Sequence, residues 1–176
     1  MAAGLVEKAA RLSTTHWVGA AAVSKRAAVV RKLAAILVEA DADAYTAYVT
    51  ALRSARGRHA ADRERILAPA QARIVEVPLT IVRSAAEVAE LAAEMARHGN
   101  PNLRSDAITG AELAAAAAQA ATATLAANVK GTRDPSLAEA RVLARTASES
   151  ARRLRAPARR GASGRDPARS RGSGRR

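Results

Sequence analysis

Apolar residues recur along this chain at helical spacing, and no segment shows the period of two that marks a strand. Met1 to Leu12 (MAAGLVEKAARL) predicts a short helix, which Ser13 to Gly19 breaks. From about Val23 to Arg56 the spacing returns, with Val30, Leu33, Leu37, Ala40 and Ala44 on one face and Gly57 as the stop. Asp62 to Glu76 predicts a further helix with Pro69 as a kink or break. Pro78 then suits the first turn of the next helix, where a missing N–H costs nothing. In that helix Ile81, Ala85, Val88, Ala92 and Met95 form a buried stripe. Arg83, Glu87, Glu90, Glu94 and Arg97 form the solvated one, and Arg83–Glu87 is placed for an i,i+4 ion pair worth a few tenths of a kcal/mol.

The helix stops at Gly99, and a polar turn, Asn100-Pro101-Asn102, follows. Ser105-Asp106 then open a helix almost free of charge that reaches Lys130, and Gly131 closes it. Asp134-Pro135 supply an N-cap and first position for a last helix ending near Leu154. The expected fold is all-α, an antiparallel bundle of long Ala-rich helices over residues 1–154. Residues 155–176 are Arg, Gly, Ser, Ala, Pro and Asp without apolar period, which predicts disorder.

Composition sharpens this picture at three points. Alanine makes up more than a quarter of the 176 residues, and there is no Phe, so close helix contacts must replace bulky packing. Ala faces bury little area within one subunit, so a homodimer or larger homo-oligomer is expected. The absence of cysteine excludes disulfides and Cys-based zinc sites and favours a cytoplasmic location. The net charge of +13 is uneven: residues 151–176 carry ten Arg and one Asp, and the other 150 residues hold 19 basic and 15 acidic groups, so most of the basicity belongs to the tail. An Arg-rich tail attracts phosphates non-specifically, but it lacks aromatics on which bases could stack.

The longest uncharged window, Leu113 to Val129, falls short of the ~20 apolar residues of a membrane span. His16, His59 and His98 are scattered, which predicts no metal site, and there is no phosphate loop or nucleophile elbow.

The chemistry concentrates at the turn between the two central helices. Asn100, Asn102, Ser105 and Asp106 place two carboxamides, a hydroxyl and a carboxylate at one helix start, more polar groups than a cap requires. Gly99-Asn100, Ser105-Asp106-Ala107 and Asn128-Val129 stand in that order around an Ala-rich helix. Asp41-Ala42-Asp43-Ala44-Tyr45, followed by Arg53, and the helix start Val77-Pro78-Leu79 add further marks.

These segments resemble the cyclodeaminase/cyclohydrolase family of one-carbon folate metabolism, over approximately residues 1–150. The family pattern runs G-N, S-D-A, an Ala-rich helix, then N-V, with D-A-E-A-Y/F and V-P-L upstream. The family has a helix and a P-G-G-G-S segment before the helix that Met1 to Leu12 resembles, so the chain is expected to be truncated at its N-terminus. Where family members carry lysines and a tyrosine, this chain has Thr14, Thr15, His16 and Trp17.

The resemblance implies conversion of 5-formiminotetrahydrofolate to 5,10-methenyltetrahydrofolate with release of ammonia, or hydrolysis of the methenyl bridge. It implies Asp106 as the catalytic group and Asn100, Asn102, Ser105, Asn128, Asp41 and Arg53 as folate-binding residues, with no cofactor. The rival readings are a catalytically inactive family member and a helical adaptor acting through the basic tail.

Overall fold

The computed structural model describes residues 1–129 and 131–155. Lys130, and all of the expected tail except Arg155, lie outside the described residues. Among them there are five α-helices and no strand: α1 (Ala2–Arg11), α2 (Ala20–Ser54), α3 (Ala60–His98), α4 (Arg104–Asn128) and α5 (Pro135–Arg155). A single 3-10 turn, Pro101–Leu103, joins α3 to α4. The all-α bundle is as expected.

Helices α3 and α4 run antiparallel and form the centre of the bundle, with α2 beside α3 and α5 against both. Their common core is mostly alanine, and Val6, Pro78, Val82, Leu125 and Leu137 are its largest fully buried side chains. Small side chains let the helix axes approach closely, which recovers by contact density what the missing aromatics would supply. The first helix lies antiparallel to α4 and packs closely at Gly110, where an added Cβ would stand 2.9 Å from Val6 Cγ2. Asp134 caps α5 as expected, its Oδ1 accepting from the Ser136 N–H at 2.8 Å. Gly57, at φ 71°, turns the chain after α2 in a conformation that side chains disfavour.

The region around Pro78 differs from expectation. No helix begins at Pro78: α3 continues from Ala60 to His98 through both Pro69 and Pro78. A proline inside a helix leaves the carbonyl four residues earlier without its donor. For Pro78 that carbonyl belongs to Ile74, and the Asn128 carboxamide donates to it through Nδ2 at 2.7 Å. The bond is reinforced in the other direction, because Gln71 Nε2 donates to the Asn128 backbone carbonyl at 2.6 Å. With the orphan acceptor satisfied by α4 and the proline ring buried, the helix has no reason to stop.

Asn128→Leu is therefore expected to destabilise the fold by about 1–2 kcal/mol, the cost of a partly buried carbonyl left unpaired. A urea midpoint equal to wild type would show that water satisfies Ile74 and that Asn128 has no such role.

Two smaller expectations are also corrected. Arg83 does not pair with Glu87. It reaches Glu139 on α5, with Nε at 2.7 Å and Nη2 at 2.9 Å from the two carboxylate oxygens. The hydrogen bonds from that guanidinium hold the Glu139 carboxyl below its usual range. Glu87 is taken by Arg26 of α2 instead. Leu33, placed on the buried face by its spacing, is on the exposed side of α2 at 36% exposure.

Candidate functional site

The end of α1 meets the α3–α4 junction, and the polar residues of both gather there. Ser13 is the pivot. Its buried hydroxyl donates to the Ala9 carbonyl at 2.8 Å and accepts the Asn100 backbone N–H at 2.8 Å. Asn100 in turn accepts the Asn102 N–H on its Oδ1 at 3.0 Å, and this bond opens the 3-10 turn. Gly99 lies in the extended region, so its dihedrals place no demand on residue type. The space does. A Cβ there would stand 2.5 Å from Met95 Cε, 2.6 Å from the Met95 carbonyl oxygen and 3.1 Å from Ser13 Oγ. The Gly-Asn pair is thus required by the junction itself.

Asp106 lies in the first turn of α4, but it does not cap the helix. The cap position is Leu103, which offers no side-chain bond. The carboxylate is instead turned to α1, where Lys8 Nζ stands 3.0 Å from Oδ2. The Asp106 side chain is 26% exposed and the Lys8 side chain 56%, so a ligand can reach the pair. Asn102 and Ser105 are exposed beside it. On the flank, the Trp17 and His98 rings lie with centroids 5.2 Å apart and planes tilted by 34°. The arrangement offers a carboxylate and an ammonium in contact, carboxamide and hydroxyl groups around them, and an aromatic flank.

The structure therefore brings together Asn100, Asn102, Ser105 and Asp106, and separates the other three expected residues from them. Asn128 is at the far end of α4, about 33 Å along the helix axis from Asp106, with its carboxamide on Ile74. Asp41 is halfway along α2, where it lines a cavity of about 760 Å³ with Arg31, Val38, Ser84 and Leu113. Arg53 is about 18 Å farther along the same helix and exposed. That cavity opens at the Met1 end of α1, whereas Asp106 sits at its Lys8 end.

Lys8 and Ser13 were missed by the sequence reading. A lysine in a short amphipathic helix carries no local signal, because its partner lies 98 positions away. The serine could have been suspected only from its position directly after a helix stop.

Among the described residues no three His, Asp or Glu side chains converge as metal ligands would, and no helix is long and apolar enough to cross a membrane. A family model described as Formiminotransferase-cyclodeaminase matches residues 1–147. No curated protein matches the chain. Among solved structures it is similar to the formiminotetrahydrofolate cyclodeaminase of Thermotoga maritima, at 19% identity and a TM-score of 0.72. That likeness covers 88% of this chain and 81% of the other, and it is a likeness of fold.

Proposed function

We propose a function from one premise: the chain belongs to the formiminotransferase-cyclodeaminase family. The reading is that it closes 5-formiminotetrahydrofolate to 5,10-methenyltetrahydrofolate and releases ammonia. The observation that carries it is the Asp106 carboxylate, set at a helix start without capping duty and accessible beside Lys8.

The chemistry requires one proton to move. The folate N10 attacks the carbon of the protonated formimino group held on N5, and a new C–N10 bond forms. The C=N π bond opens as it does so, and its electron pair settles on the nitrogen, which becomes an amino group. N10 then carries a proton that must leave, while the amino group on the same carbon must gain one to depart as ammonia. A carboxylate within reach of both nitrogens takes the first proton and delivers it to the second. The C–N bond to the amino group breaks, and the cationic charge spreads over N5, the bridge carbon and N10. A negative side chain near that bridge also stabilises it. Asp106 fills both roles in this reading, and Lys8 holds the carboxylate in place between proton transfers. Asn100, Asn102 and Ser105 supply hydrogen bonds for the pteridine or the leaving nitrogen. Protons balance without a redox group or a metal.

The test is turnover by the full chain, followed as ammonia release together with the absorbance of the methenyl product. Ammonia formed in step with methenyl product supports the cyclodeaminase reading. Consumption of 5,10-methenyltetrahydrofolate alone would replace it with the hydrolytic reaction. No turnover of either folate would refute the proposal for this chain.

A further inference from the structure

Past the end of α4, helices α2 and α3 continue as a two-helix arm. Asn128 closes α4 beside Gln71 and Ile74, and α5 meets α3 farther along, where Glu139 takes Arg83. Because α3 starts at Ala60, the arm projects about 16 Å beyond Gln71. Between residues 45 and 70 only Ala55 and Ala70 are buried. The side-chain bonds of this stretch, Thr50 to the Thr46 carbonyl and Arg65 to Asp62, stay within one helix. Two helices without a third element leave their apolar side chains partly uncovered, although helices draw most of their stability from such packing. Tyr48, Leu52, Ile66 and Leu67 are all half-buried here.

A groove of about 670 Å³ lies on the arm, with Tyr48 and Leu52 on one wall and Arg63, Glu64, Leu67 and Ala68 on the other. Both tyrosines of the chain are on this arm, and Tyr45, one turn before Tyr48, is 68% exposed. The charge is one-sided: Arg53, Arg56, Arg58, Arg63 and Arg65 stand against Asp62 and Glu64. Among the described residues Arg65 alone of the five arginines has an ionic partner, Asp62. Arg56 follows Leu52 by four residues and Arg63 precedes Leu67 by four, which sets two unpaired cations toward the tip of the arm.

We infer that this groove docks an acidic amphipathic helix of another protein, its apolar face on Tyr48, Leu52 and Leu67 and its carboxylates on the arginines. Charge complementarity selects the occupant. A second copy of the arm would bring like charges together. Residues 156–176 of the chain are themselves basic and would be repelled. An anion without apolar side chains would satisfy the arginines and leave the groove uncovered. Tyrosine and arginine are also the residue types that carry most binding energy once a partner excludes water from them. The arm is at the start of α3 and the Asp106 junction follows its end, so a docked helix leaves that site open.

Fluorescence anisotropy of a labelled peptide titrated with the full chain tests this at physiological salt. The probe is a synthetic helix of about 18 residues, with Leu at spacings of three and four and Glu and Ala elsewhere. Its control has the same residues in an order that scatters Leu around the helix. The amphipathic peptide is expected to bind with a dissociation constant of about 10 µM, and the control about tenfold more weakly or worse. Arg56→Glu/Arg63→Glu is expected to weaken binding of the first peptide about tenfold or more. Ala68→Trp, which fills the groove without changing charge, is expected to weaken it about tenfold as well. All three positions are exposed, and an unchanged circular dichroism spectrum verifies that each variant is folded. Equal binding of the two peptides overturns the proposal, because charge alone would then explain it. So does binding that Ala68→Trp leaves unchanged, or no binding of either peptide, the result expected if a second copy covers the arm. Tighter binding of single-stranded RNA or of phosphatidylserine vesicles, weakened by the same arginine changes, also overturns it.

Discussion

Asp106→Asn is expected to lower turnover of 5-formiminotetrahydrofolate by on the order of 10²-fold, the usual scale for a lost acid–base group. Binding of a non-reactive folate should change far less. Asparagine preserves the shape and one acceptor but cannot take and return the proton. The structure also bounds the cost in stability. The carboxylate does not cap α4, and its bond to Lys8 is a partly exposed ion pair, so the loss should stay within about 1 kcal/mol. Activity and stability are therefore separable at this position. Full activity in the asparagine variant would remove Asp106 from the reaction. A large drop in thermal stability with a proportionate loss of activity would make it a structural residue. A further control is Lys8→Met, which should reduce turnover less than Asp106→Asn if lysine only positions the carboxylate.

The second large effect is expected at Gly99. Gly99→Ala should destabilise the fold by about 2–3 kcal/mol, because the new methyl group meets a backbone carbonyl and a buried hydroxyl that cannot both withdraw. For a chain of this size that corresponds to a melting temperature lower by roughly 5–10 °C. The strain should also spread. The Ser13 hydroxyl that would be crowded at 3.1 Å is the same one that anchors Asn100, so turnover should fall with stability. The contrast is Gly4→Ala in α1, where the nearest atom to an added Cβ is Arg31 Cδ at 3.6 Å, an ordinary contact. There alanine should stabilise by about 0.5–1 kcal/mol through helix propensity. Thermal unfolding of the two variants side by side checks both signs. Equal melting temperatures would mean that the junction relaxes freely and that the Gly-Asn pair is not a steric requirement.

The sequence by itself determined the helical class, the approximate extent of α1, α2 and α5, and the polar turn that opens α4. Each of these rests on a local signal: a period of 3.6, a glycine stop, or an Asp-Pro start. The cluster of Asn100, Asn102, Ser105 and Asp106 was legible for the same reason, since seven consecutive residues supply it. The order of its motifs was enough to point to the family.

Only the tertiary structure decided what each polar group does. Pro78 read locally as a helix start, and it is buried mid-helix because Asn128, fifty positions on, satisfies the carbonyl that the proline orphans. That bond gives Asn128 a structural task at the end of α4 away from Asp106. Arg83 found Glu139 and left Glu87 to Arg26, a choice made by which helices lie side by side and not by spacing within one. Lys8 reached Asp106 only because α1 folds back along α4. A sequence encodes periodicity and turn chemistry within a few residues. The partner of a charge or an amide is set by which faces of distant helices are brought within about 3 Å, and that is settled by packing.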